Sequence, residues 1–171
     1  MNIHLNLKIH KSLHVGPNIN VWLNGNIKNT FANIQEDRLE LDLKLDDHLL
    51  KKNNVLLIDH YGKDPNSIDA SLGDVAVEIE EIWFDRLKLH RNLMFEQLFF
   101  PNWEFGHVEN VIQNNCYVGF NGVWQLIFPD DPFSWITDYL ESEMFSSDTE
   151  NSDHSSSTDT ENFENFRKDF F

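Results

Sequence analysis

The most constraining feature of this sequence is a strict alternation of apolar and polar residues near its start. Between residues 2 and 10, Ile3, Leu5, Leu7 and Ile9 alternate with Asn, His and Lys residues. Successive side chains of a β-strand project to opposite faces, so a period of two is typical of a strand with one buried face. A helix would spread these four aliphatic residues around its circumference. The segment is therefore predicted to be a half-buried strand.

Related patterns recur along the chain. Alternating or short apolar runs predict further strands at 18–23, 38–45, 55–58, 75–84, 116–120 and 123–128. Asn24-Gly25 favours a tight turn, and Asn121-Gly122 predicts a hairpin between the last two strands. In the segment 75–84 the apolar side changes around Glu80 to Ile82, which predicts a β-bulge.

One short helix is expected near the end of the folded part. Asp131 is a good N-cap and Pro132 a good first helical residue. Phe133, Ile136 and Leu140 follow at helical spacing, so the helix is predicted from Pro132 to about residue 143. The segment 87–105 has no clear period and is predicted to be partly helical or irregular.

These patterns predict an all-β fold with about seven strands, arranged as a jelly-roll-like antiparallel β-sandwich. Helices do not alternate with the strands, which argues against a parallel α/β sheet. The sandwich is expected to span residues 1–143. The segment 144–171 is predicted to be a disordered acidic tail, because its Ser, Asp, Thr and Glu residues cannot bury enough apolar area to offset ordering.

The charge balance restricts the possible partners. Lys and Arg total 13 against 29 Asp and Glu, which gives a formal net charge of -16. Such a surface repels nucleic acids and anionic membranes, whereas cations, neutral polymers and basic proteins stay possible. The start of the sequence lacks the pattern of a signal peptide, so the chain is expected to stay in the cytoplasm unless a larger assembly carries it out.

The sequence offers little to catalysis. It contains none of the common nucleophile, phosphate-loop or zinc-protease motifs, and the single Cys116 is predicted to be a small buried side chain. Glu78 and Glu80 could act as the paired carboxylates of a polysaccharide-active enzyme. Both project from one strand face without a sign of raised pKa, so a non-catalytic binding module is favoured over an enzyme.

A calcium site is a further hypothesis. Several carboxylates lie near the ends of two predicted strands, and calcium takes six to eight oxygen ligands. The candidate ligands are Asp59, Asp64, Asp69 and Asp74. The alternative is that these acidic residues only solubilise a loop.

Aromatic residues suggest two kinds of docking. Tyr61, Trp83 and Trp103 could stack on sugar rings if they are exposed, although buried core positions are the alternative. At the end of the chain, three Phe residues share helical spacing and could form a partner-docking peptide on a flexible tether. They are Phe163, Phe166 and Phe170.

Two resemblances add to this interpretation. The segments Val21–Gly25 and Asp74–Ile82 resemble those of calcium-dependent xylan-binding modules, although the Arg-Asn pair that usually follows the Asp there is absent. That resemblance implies a carbohydrate-binding-module-like sandwich, a calcium ion and a glycan ligand. The order of several segments is also similar to that in small proteins of T4-like marine phages: Ile58–Lys63, Val75–Phe84, Phe100–Asn102, Gly119–Trp124 and Pro132–Ile136.

The second resemblance implies a phage structural or accessory protein. The expected function is therefore the recognition of a glycan or of a neighbouring virion protein, without catalysis. Two alternatives stay open at this stage. One is an assembly protein that acts through its Phe-rich C-terminal peptide, and the other is an enzyme that acts on polysaccharides.

Overall fold

A computed structural model of the chain describes residues 1–64, 73–101, 111–113 and 115–146. The predicted ligands Asp69 and Trp103 and the three Phe residues of the tail lie outside these ranges. The chain divides into two units, Met1–Ile136 and Thr137–Phe171, and all the described strands lie in the first.

Strands dominate the described residues. They are β1 (Asn2–His10), β2 (Asn18–Leu23), β3 (Asn26–Phe31), β4 (Arg38–Lys44), β5 (Asn53–Tyr61), β6 (Ala76–Phe84), β7 (Leu87–Lys88), β8 (Leu98–Pro101), β9 (Tyr117–Val118) and β10 (Gly122–Pro129). Two helices, α1 (Arg91–Phe95) and α2 (Pro132–Ser146), and a 3₁₀ turn at Asp47–Leu49 accompany them.

The described strands form two antiparallel sheets. The first sheet has the order β4-β1-β6-β7, with β9 also paired to β6, and the second has the order β3-β2-β5-β10-β8. This arrangement confirms the prediction of a mostly-β antiparallel sandwich. Neighbours in sequence are often not neighbours in a sheet, so the chain crosses repeatedly between the two layers.

The inward positions of both sheets supply the core. In β1, the alternating residues Ile3, Leu5 and Leu7 are fully buried, as the sequence pattern predicts. In the second sheet, Ile58 and Trp124 are also fully buried. Because alternate residues of strands such as β1 and β2 are buried, the remaining residues lie on the outer faces, where a ligand can reach them.

Two local predictions are confirmed. Along β6, Leu7 pairs with Ile79 whereas Asn6 pairs with Glu81, so Glu80 is the extra residue of a β-bulge. Asn24 and Gly25 have φ angles of 52° and 80° and join β2 to β3 in a tight turn. Positive φ at both central residues is what a type I′ turn needs.

The predicted hairpin around Asn121-Gly122 is wrong. Strand β9 pairs with β6 in the first sheet, whereas β10 pairs with β5 and β8 in the second. Gly122 is needed for a different reason, because a Cβ there would lie 2.4 Å from the carbonyl oxygen of Phe100. The glycine thus permits close backbone contact with β8.

The remaining segments follow local chemistry. The Asp131 carboxylate accepts hydrogen bonds from the backbone N–H groups of Phe133 and Ser134, both at 3.1 Å, which confirms the predicted N-cap of α2. The segment of unclear period contains β7, α1 and β8, so it is partly helical as predicted. Strand β3 was not predicted. Among the described helices, none is long and apolar enough to cross a membrane.

The burial pattern makes a matched pair of substitutions informative. Leu5→Ala should lower the free energy of unfolding by about 2–5 kcal/mol, because it leaves a cavity in a fully buried position. Leu13 is 65% exposed, so Leu13→Ala should change this free energy by less than about 0.5 kcal/mol. Chemical denaturation followed by circular dichroism measures both, and equal effects would contradict the assigned core.

Candidate functional site

The outer face of the second sheet brings together polar and aromatic residues from three strands. Asn20 of β2 lies opposite Asp59 of β5 and opposite Thr30 of β3. On the same face, Trp22 follows Asn20 by two residues along β2, and Tyr61 follows Asp59 by two residues along β5. Because the two strands are antiparallel, the two rings lie at opposite ends of the Asn20–Asp59 pair. We call this set of five residues the β2–β5 surface. All five are partly or largely exposed.

Hydrogen bonds orient the polar residues of the β2–β5 surface. The Thr30 hydroxyl donates to the Asn20 side-chain oxygen at 2.9 Å. The Asn20 amide nitrogen donates to Oδ2 of Asp59 at 3.1 Å. The chain of bonds fixes which way the Asn20 amide faces, and it ends at a carboxylate, which accepts hydrogen bonds when it is ionised.

The two aromatic residues of this surface, Trp22 and Tyr61, are partly exposed. Neither Trp22 nor Tyr61 makes a described ring contact, cation–π contact or side-chain hydrogen bond. Other aromatic side chains differ: the rings of Phe84 and Phe128 pack at 4.9 Å inside the core. Partly exposed, unpartnered rings are available to stack on a ligand.

Asp59 is the acidic group of the β2–β5 surface. Its partial burial raises the pKa of the carboxyl group, and the hydrogen bond from Asn20 opposes that effect without cancelling it. Its charged form is therefore incompletely stabilised by the protein. A ligand that donates hydrogen bonds or carries positive charge would stabilise it.

A cleft of about 220 Å³ lies at the Tyr61 end of this surface. It is lined by the segment from His60 to Asp64 and by parts of the loops that precede β2 and β4. Gly62 permits this geometry, because its φ is +72° and a Cβ would lie 2.7 Å from the Asn18 amide nitrogen. The cleft thus extends the β2–β5 surface beyond the end of β5.

Lys63 anchors the wall of this cleft. Its ammonium group pairs with Oδ1 of Asp74 at 2.6 Å and also donates to the Gly119 carbonyl oxygen. The Tyr117 hydroxyl donates to the other Asp74 oxygen at 2.6 Å. Burial alone would raise the pKa of Asp74, but the bonds from Lys63 and Tyr117 lower it overall. This network links the two sheets and holds the cleft in shape.

His60 is a buried polar residue beside the cleft. Its Nδ1–H donates to the Phe120 carbonyl oxygen at 3.0 Å, and Nε2 has no hydrogen-bond partner among the described residues. Burial lowers the pKa of His60 to about 4, so the ring is neutral near pH 7.

Trp83, a predicted sugar-binding residue, lies on the outer face of the other sheet. It pairs with His4 and Lys88, and its indole N–H donates to Glu81 at 3.1 Å. The Lys88 ammonium group lies 5.6 Å from the centre of its ring. Trp83 and Tyr61 are therefore not brought together in one site, because the core separates their faces.

The predicted calcium ligands do not converge among the described residues. No group of three His, Cys, Asp or Glu side chains there could hold a metal ion. Asp74 is already bound by Lys63, and Asp59 faces outward on β5 toward Asn20. Asp64 lines the cleft, and Asp69 lies outside the described ranges. The calcium site stays a prediction.

The carboxylates of the enzyme hypothesis are both paired with basic groups. Glu78 contacts Lys8 at 3.2 Å and His10 at 3.1 Å, and Glu80 pairs with Arg38 at 3.3 Å. Burial would raise the pKa of Glu78, but these hydrogen bonds lower it overall. A general acid needs a raised pKa, so this environment opposes that role.

The thiol of Cys116 has no sign of activation. The residue is buried, as predicted, and burial raises the pKa of its thiol to about 11. A nucleophilic thiolate needs the opposite shift.

Three residues of the β2–β5 surface are not among the predicted site residues: Asn20, Trp22 and Thr30. A signal for two of them was present, because the alternation in β2 puts Trp22 and Asn20 together on the polar face. Because Trp side chains are highly buried on average, a Trp on the polar face of a strand was a sign of a surface role. Thr30 had no such signal, because β3 lacks the alternation that would have revealed it.

No family model and no curated protein sequence matches the chain. Two solved structures are similar to it. One is entitled "vCBM60 in complex with galactobiose", with 10% identity, a TM-score of 0.44, and coverage of 73% of this chain and 96% of that one. The other is a SeMet form of vCBM60, from work on two families of calcium-dependent carbohydrate binding modules, with 9% identity, a TM-score of 0.46, and coverage of 73% and 89%. Similarity this low carries no weight for the function, which rests on this chain's own residues.

The burial of His60 predicts a specific acid response. Between pH 6.5 and about 4, the unfolded chain binds a proton at this residue that the folded chain does not. As the pH is lowered through this window, the free energy of unfolding should therefore decrease, and His60 should contribute on the order of 3 kcal/mol to that decrease. His60→Gln, which keeps a donor for the Phe120 carbonyl, should remove that part of the slope.

Urea unfolding at several pH values measures the effect. His14→Gln is the matched control, since His14 is exposed and its replacement should leave the slope as in the original chain. If His60→Gln and His14→Gln give the same pH dependence, the assignment to His60 is wrong.

Proposed function

We propose that this protein is a non-catalytic module that binds a glycan along the β2–β5 surface. The observation that carries the proposal is the placement of a hydrogen-bonded polar row between two unpartnered aromatic rings. Sugar recognition needs both features, because the faces of a pyranose ring are apolar while its edges carry hydroxyl groups. Aromatic rings pack against the former, and fixed polar groups bond to the latter.

The dimensions of the surface suit a short oligosaccharide. Trp22 lies opposite Leu57 of β5, which is four residues before Tyr61. At about 3.4 Å per residue, the two aromatic residues are roughly 13 Å apart along the strand. The Asn20–Asp59 row lies between them. A ligand of two or three sugar units could thus contact both rings and the polar row together, and its end could reach the cleft.

The orientation of the polar row supports binding without a chemical step. Thr30 and Asn20 are already bonded to their neighbours, so they need little reordering when a ligand arrives. The described carboxylate pair of the first sheet is held by Lys8, His10 and Arg38 and lies on the opposite face. Recognition therefore fits the described residues better than hydrolysis does.

The first test is a glycan array probed with the full chain, followed by titration calorimetry on the best ligand. Trp22→Ala should weaken binding about five- to thirtyfold, because stacking and burial of an aromatic ring contribute roughly 1–2 kcal/mol. Tyr61→Ala should have a similar effect. The array should be run with calcium and with a chelator, since a calcium requirement would support the predicted metal site.

Trp83→Ala is the matched control, because it removes the same side chain from the other sheet. It should leave the affinity within about twofold of the original. Loss of binding in Trp83→Ala but not in Trp22→Ala would place the site on the first sheet and refute the proposal.

We also propose a place for the chain in a phage particle, as a structural or accessory protein. This proposal is supported by the order of the segments Ile58–Lys63, Gly119–Trp124 and Pro132–Ile136, which is similar to that in small proteins of T4-like marine phages. Mass spectrometry of purified particles should detect the chain at a fixed ratio to the major capsid protein. Its absence from particles would oppose a structural role.

A further inference from the structure

The environment of Asp59 narrows the class of glycan, an inference that rests on the function proposed above. Asp59 accepts one described hydrogen bond, from Asn20, and forms no ion pair with a described Lys, Arg or His. Its neighbours across the sheet are Asn20 on one side and Val123 on the other. The two residues directly across the sheet from this carboxylate are thus neutral.

Other partly buried carboxylates on the sandwich are different. Glu78, Glu80 and Glu81 of the first sheet each pair with a Lys or Arg, and even the more exposed Asp74 pairs with Lys63. Leaving a partly desolvated charge without a partner costs free energy. Asp59 is therefore an exception among the partly buried acids on these faces, and it lies between the two unpartnered rings of the β2–β5 surface.

A cationic ligand would complement the carboxylate and the aromatic rings of this surface. An ammonium group offers three hydrogen-bond donors to the carboxylate, and the faces of Trp22 and Tyr61 attract positive charge through their ring electrons. The net charge of -16 also raises the local concentration of cations and repels uronic acids. Acetylation of the amine would replace the ion pair with a neutral contact.

We infer that the ligand of the β2–β5 surface is a glycan with free, protonated amino groups, that is, one built from non-acetylated amino sugars. The sugar rings stack on Trp22 and Tyr61, and an ammonium group pairs with Asp59. Binding in this form neutralises the one carboxylate of the surface that the described residues leave without a cation.

The test compares two probes, the β-1,4-linked disaccharide of glucosamine and its N-acetylated form. Titration calorimetry with the full chain at about 0.15 M salt limits long-range attraction, because the screening length there is about 8 Å. The non-acetylated probe should bind at least about tenfold more tightly. Asp59→Asn should remove most of this preference and leave affinity for the acetylated probe within about twofold.

Asp42→Asn is the matched control. It changes the net charge by the same amount, but Asp42 lies on the first sheet beside His4 with its side chain 87% exposed. It should preserve the preference for the free amine. Equal loss in both variants would show a bulk charge effect and overturn the inference, as would equal affinity of the original chain for the two probes.

Two further measurements keep the inference and the proposed function separable. If circular dichroism shows that Asp59→Asn does not fold, the affinity of the original chain for the non-acetylated probe is measured at several pH values instead. This affinity should decrease as the pH rises through the pKa of the amine. An affinity that does not change with pH overturns the inference. If the non-acetylated probe binds no more tightly than the acetylated one, and its binding needs Trp22 but is unchanged in Asp59→Asn, only the inference is refuted. If Trp22→Ala binds both probes as the original chain does, the proposed site itself fails.

Discussion

The whole arrangement depends on the burial of alternate residues in β2 and β5. Ile19, Val21 and Ile58 are fully buried, so neither strand can slip by one residue without exposing this set and burying polar side chains. The same constraint fixes what faces outward. The contact between Asn20 and Asp59 is therefore a consequence of the core, and the core positions the candidate site with no dedicated loop.

The two outer faces of the sandwich use charge in opposite ways. On the first sheet, acidic side chains of β6 are paired with Lys and Arg residues, and the ring of Trp83 is near the Lys88 ammonium group. On the β2–β5 surface, the polar row ends at a carboxylate without a described cation, between rings without described partners. Proteins tend to leave such local interactions incomplete where function needs them, at some cost in stability. This contrast, rather than the composition, is the reason for proposing the β2–β5 surface as the binding face.

Much of the fold could be predicted because its signals are local. The strands β1, β2 and β4 follow from alternation, the bulge at Glu80 from a change of apolar side, and the start of α2 from its Asp-Pro pair. Strand pairing was harder, because it depends on contacts between distant segments. Residues 116–128 contain the turn-forming pair Asn121-Gly122, which favours a local hairpin. Strand β9 instead pairs with β6 of the first sheet, about 40 residues earlier, and no local signal indicates this pairing.

The candidate site was predictable to a similar extent, and for the same reason. The sequence predicts Asp59 as a metal ligand and Tyr61 as a sugar-binding residue, whereas their neighbours Asn20 and Thr30 come from strands that only the fold places beside them. Trp83 lies on the outer face of the other sheet, and the sequence alone could not show that it is separated from Tyr61. A row in which each group fixes the next costs little ordering entropy when a ligand binds, so a small surface of this kind can still give useful affinity. Its selectivity would then depend on the single unpaired charge, because aromatic rings alone distinguish sugars poorly and a carboxylate distinguishes an ammonium group from a neutral amide.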